Sequence, residues 1–148
     1  MTIKRGNFLP LQDHIMRHVP PARLRRDEDG NVLGILPQAF SYRNDEDFLS
    51  VNWLEYFKND KAANLRDCVD AQRATLNVGK NCVYAVAVVD KVKQVCVRKQ
   101  KPVRIVYHPT KGNAAHSALH VQHNEDLNVL SDLALEFEKE MHPNSKFK

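Results

Sequence analysis

Residues 81–89 read Asn-Cys-Val-Tyr-Ala-Val-Ala-Val-Val, a continuous apolar and β-favouring run with no Gly, Pro or charge inside it. Apolar residues on successive positions, without helical spacing, mark a core strand. It is the most core-like strand in the chain.

Helical patterns stand on either side of that strand. Between Asp60 and Asn77, Ala63, Leu65, Cys68, Val69, Gln72 and Leu76 fall near i, i+3, i+4 spacing, with Asn59 or Asp60 available as a cap and Gly79 beyond the end. Residues 124–142, NEDLNVLSDLALEFEKEMH, place Leu127, Leu130, Leu133, Ala134, Phe137 and Met141 on one face. Asn124 can cap this second helix, with Glu125 and Asp126 at its positive end and Pro143 just past its finish.

The segments VKQVCV (92–97) and PVRIVYH (102–108) read as two further strands, and Asp29-Gly30 as a tight turn between two extended segments. This order predicts an α+β fold. The expectation is a single domain over residues 1–148, with a mixed or mainly antiparallel sheet, a central helix and a C-terminal helix packed on it. Residues 1–15 read as a flexible or extended N-terminal arm.

Composition narrows the function. With 43% hydrophobic and 27% charged residues the chain is ordinary for a globular protein, and no apolar run approaches the roughly 18 residues of a bilayer span. Pro10, Gln12 and Asp13 break the only early apolar stretch, so a signal-peptide core is missing and a cytoplasmic location is expected. Cys68, Cys82 and Cys96 are odd in number and form no C-x-x-C pair, which points to buried free thiols. The net charge of +4 is mildly basic. Its two concentrations, 17–26 and 91–104, read as solvated faces rather than a phosphate-binding stripe.

Three of the seven histidines, His116, His120 and His123, fall within eight residues. On a helix they would share one face with metal-ligand spacing, although Ser117 stands where a zinc-protease helix carries its Glu. On a strand His116 and His120 would be about 13 Å apart, too far for ligands held at ~2 Å, and His123 would face the other way. The strand reading is favoured, because a helix already claims 125–141 and the sheet needs another member. It leaves His116 at a strand start beside the Gly112-Asn113 turn, where functional side chains are common.

The segments QAFSYRNDEDFLSV (38–51) and GNAAHSALHV (112–121) carry a resemblance. The chain resembles a family of small uncharacterised bacterial proteins with an "AF…LSV…N-x-A-H" pattern, matched here by Ala39, Phe40, Leu49, Ser50, Val51, Asn113, Ala115 and His116. Ala114 stands where that pattern usually has Pro. The resemblance implies that Phe40, Ser50 and His116 form one constellation, and it implies no activity.

No phosphate-loop, nucleophile-elbow or dinucleotide motif occurs, so neither cofactor nor metal is expected. Two functions remain. The default is a small cytosolic binding or interaction module for a partner protein or nucleic acid, with no membrane role and its oligomeric state open. The alternative is an enzyme for a phosphate-bearing, nucleotide-type substrate. There His116 and Ser50 would be catalytic, while Arg17, His18, Arg23, Phe40 and Asn113 would bind.

Overall fold

In the computed structural model, residues 3–43, 45–122 and 125–147 are described. The expected core strand is β5 (Val83–Val88), and every position from Val83 to Ala87 is buried. It lies fifth in a six-stranded sheet of order β6-β7-β4-β1-β5-β8. The other members are β1 (His14–Val19), β4 (Leu49–Trp53), β6 (Val103–Tyr107), β7 (His116–Val121) and β8 (Met141–Pro143), and every pairing is antiparallel. A separate hairpin, β2 (Leu24–Arg26) with β3 (Val32–Ile35), turns at Asp29-Gly30, where Gly30 takes φ 84°. The fold is α+β.

Each face of the sheet has its own core. On one face, α1 (Lys61–Thr75) buries Leu65, Cys68 and Val69 against Met16, Tyr84 and Val86. Its N-terminus is capped by Asp60, whose carboxylate accepts from the Ala63 N–H at 2.8 Å. On the other face lie α2 (Val89–Arg98) and α3 (Leu127–Phe137), with the β2–β3 hairpin and the 3-10 turn Pro37–Phe40.

Helix α2 corrects the strand expected at VKQVCV. Val89, Val92, Val95 and Cys96 are buried while Val97 is exposed, which is helical and not alternating spacing. The Val residues lower helix propensity, but packing of one apolar face outweighs it. The helix starts directly from β5. Two of its orphan N–H groups are taken by the segment before β1, Val89 N–H by the Asp13 carbonyl and Asp90 N–H by that of Leu11. The early residues are tied to β6 as well, with Gly6 N–H on the Tyr107 carbonyl at 2.8 Å and Leu9 N–H on that of Ile105 at 3.0 Å.

The closing helix is shorter than its pattern. Asp126 caps α3 by accepting from the Asn128 N–H at 3.0 Å, and the expected cap Asn124 lies outside the described residues. Val129, Leu130, Leu133, Ala134 and Phe137 form the buried face, whereas Leu127 is exposed. Met141 is in β8, where it pairs with Ala85.

Candidate functional site

Strand β7 decides the histidine question. His116, Ala118 and His120 share one sheet face and Ser117, Leu119 and Val121 the other, so the helical metal triad does not form, and His123 lies outside the described residues. The face that carries His116 is the one α1 covers, but only in part. Helix α1 reaches β4 through Gln72, whose Oε1 accepts from the Asn52 amide at 2.8 Å.

Ser50 meets His116 there. Register pairs Asn52 with His116 and Ser50 with Ala118, so Ser50 and His116 stand diagonally across neighbouring strands on one face. Their side chains are joined, His116 Nε2 to Ser50 Oγ, at 3.0 Å. The other ring nitrogen, Nδ1, lies 2.7 Å from the His108 carbonyl. A carbonyl can only accept, so Nδ1 carries the proton and Nε2 presents its lone pair to the Ser50 hydroxyl. Burial holds the His116 pKa below its usual 6.5; the hydrogen bond to His108 opposes that, and the charges of His108 and Arg5 add to it. The ring is therefore neutral at neutral pH.

The surroundings are aromatic. Phe48, from the loop before β4, places its ring 5.2 Å from that of His108, 6.1 Å from His116 and 5.7 Å from His120. His18 shares this face on β1, its ring 5.9 Å from Tyr84. The His18 Nε2 is buried without a hydrogen-bond partner among the described residues, and burial, with Arg17 and Arg43, lowers its pKa to about 4.

The remaining expected binding residues are placed differently. Arg17 points to the opposite face, where its guanidinium donates to the Ser50 carbonyl at 2.8 Å and the Ala39 carbonyl at 2.7 Å, over the Phe40 ring. Register between β1 and β4 ends at Met16–Asn52, and the Arg17 fork fills the place where the strands part. Both terminal nitrogens are thereby used, so Arg17 holds the backbone of Ser50 in place of a phosphate. Arg23 is exposed on the turn Pro21–Arg23 and makes none of the site's hydrogen bonds among the described residues. Phe40 is fully buried, its ring 5.0 Å from Phe137, and belongs to the core. Asn113 is buried too, donating to Asn52 Oδ1 at 2.7 Å and pinning the loop that precedes β7.

Two participants, His108 and Phe48, are absent from the expected set. A signal for His108 was available: the loop 109–115 joins β6 to β7, and an antiparallel connection sets residues at its two ends opposite each other. The His108 N–H indeed donates to the His116 carbonyl at 3.1 Å.

The two low histidine pKa values set a pH dependence. The unfolded chain takes up these protons near pH 6.5, the folded chain only further down, near pH 4 for His18. The unfolded state thus binds more protons in between, so stability is full above pH 6.5 and falls as the pH drops through that window. Urea unfolding at pH 5.0 is expected to give a stability lower by about 1–2 kcal/mol than at pH 7.5, a figure reduced for the partial solvation of His18. His18→Gln flattens that difference; an unchanged difference contradicts the assignment.

No protein-family model matches the chain, and neither a curated protein nor a solved structure matches it.

Proposed function

We propose that the protein is an enzyme acting on a phosphate-bearing, nucleotide-type substrate, with Ser50 as nucleophile and His116 as its base. The observation that carries this reading is the tautomer of His116, set by the His108 carbonyl: its Nε2 lone pair faces the Ser50 hydroxyl at 3.0 Å. The Ser50 proton passes to Nε2 as Oγ bonds to phosphorus and the ester oxygen departs, taking that proton from Nε2. Water then gives a proton to Nε2 and its oxygen to phosphorus. The Oγ–P bond breaks and Ser50 recovers its proton from His116.

The base here is oriented by a carbonyl where many such pairs have a carboxylate, so it is a modest base, and burial holds its pKa below the usual 6.5. One amide N–H of Asn52 is engaged by Gln72, and one of Asn113 by Asn52. Arg5, whose guanidinium donates to the Pro109 carbonyl at 2.6 Å and whose field reaches His116, is the cation assigned to the charge on the phosphoryl oxygens. Arg17 serves as a positioning group behind Ser50.

The test is covalent labelling with a fluorophosphonate at pH 8, located by peptide mass spectrometry. Label on Ser50 is the expected result. An unlabelled Ser50 in a protein that carries a bound polypeptide or nucleic acid supports the other reading, a cytosolic interaction module.

A further inference from the structure

Beyond His120 the sheet opens into a cleft of about 370 Å³ between the start of β6 and the end of β7. Its lining residues include Tyr42, Asp47, Arg104 and His120, with Val103 and Val121 at the strand ends. Arg104 and His120 are cross-strand partners. The Tyr42 hydroxyl donates to the Val121 carbonyl at 2.9 Å and accepts from the Val121 N–H at 2.7 Å, which fixes its ring against the end of β7. His120 is shared between the cleft and the Phe48 ring, and Phe48 in turn touches His116.

The charges select the ligand. A phosphate in this cleft would meet Asp47, and a bare cation would meet Arg104. A neutral planar ring with both donors and acceptors on its edge satisfies both groups at once, in the way carboxylates and guanidinium groups read base edges. The His120 imidazole offers a ring against which the ligand's face can stack. His116 and His120, four residues apart on one strand, stand about 13 Å from each other. Phe48 bridges that interval, which a nucleoside phosphate can span.

We infer that this cleft holds the nucleobase of the substrate, with the phosphate lying toward Ser50 and the ring of Phe48 between them. The inference rests on the reading of Ser50 and His116 as the reacting pair.

The test titrates the isotope-labelled full chain, followed by NMR, with the four common nucleosides, their 5′-monophosphates and ribose 5-phosphate. At least one nucleoside is expected to shift the Arg104, His120 and Val121 resonances. Asp47→Asn and Arg104→Ala, both at exposed positions, are each expected to weaken its Kd at least tenfold. Ribose 5-phosphate moving those resonances as tightly as the monophosphates do would overturn the inference. So would nucleosides that leave them unmoved at millimolar concentration. Failure of the reacting pair is separable: a chain that binds a nucleoside in the cleft but is not phosphonylated at Ser50 keeps the base site and loses the chemistry.

Discussion

Ser50→Ala is expected to abolish phosphonylation of the protein, and His116→Gln to slow it by roughly 10²–10⁴-fold, the range that a positioned base supplies. The effect is this large because an alkyl hydroxyl is a poor nucleophile until its proton has an acceptor, and the acceptor is the Nε2 atom at 3.0 Å. Glutamine can still donate to the His108 carbonyl, so the His116 variant keeps the contact that closes the β6–β7 loop while losing the base. Rates are compared on variants with matched unfolding midpoints, which separates loss of chemistry from loss of fold. A His116→Gln protein that labels at the parental rate would show that Ser50 reacts without help.

The second large effect is on stability. Arg17→Met is expected to cost about 3 kcal/mol, read as a lowered urea midpoint at an unchanged slope. The substitution leaves the Ser50 and Ala39 carbonyls without their charged donor, at the point where β1 and β4 part. Burial lowers the Arg17 pKa to about 10, which still leaves it charged at neutral pH, so both bonds are charge-assisted. Arg17→Lys is expected to fall between, because an ammonium cannot span two carbonyls in the manner of the planar fork. Labelling of the folded fraction is expected to slow as well, since the Ser50 backbone loses the support that aims Oγ. A neutral Arg17→Met would mean that solvent replaces both bonds.

The parts of the fold that could be read from the sequence are those where one local pattern had no rival. The run 81–89 was unbroken by charge, and the stretch 60–77 had both a cap and a face, so β5 and α1 lie within them, although Val89 already belongs to α2. At 92–97 two patterns competed: valines favour a strand, whereas Val92, Val95 and Cys96 are spaced for a helix. Packing against α3 and β6 decided for the helix, and that contact is non-local. Met141 was drawn to the helical face by its spacing, but the chain leaves α3 after Phe137, and pairing with β5 was invisible from the segment alone.

The site divides the same way. That Ser50 and His116 would meet depended on β4 and β7 being neighbours; Phe40, expected in one constellation with them, lies instead in the core against Phe137. Which face Arg17 took followed from alternation along β1 once Met16 was packed on α1. A basic residue beside a candidate nucleophile suggests anion binding in a sequence; its bonds to main-chain carbonyls come from strand divergence, which leaves no mark in composition. Phe48 was absent from the expected set, because its place depends on the loop that brings it beside three histidine rings.

The most direct measurement is the tautomer and titration of His116 by long-range ¹H–¹⁵N NMR on the uniformly labelled chain. A neutral ring at pH 7 with the proton on Nδ1, a bare Nε2 and a midpoint below 6.5 is the expected result. A proton on Nε2 at pH 7, or a ring already charged there, would contradict it, since neither state can take the proton from Ser50.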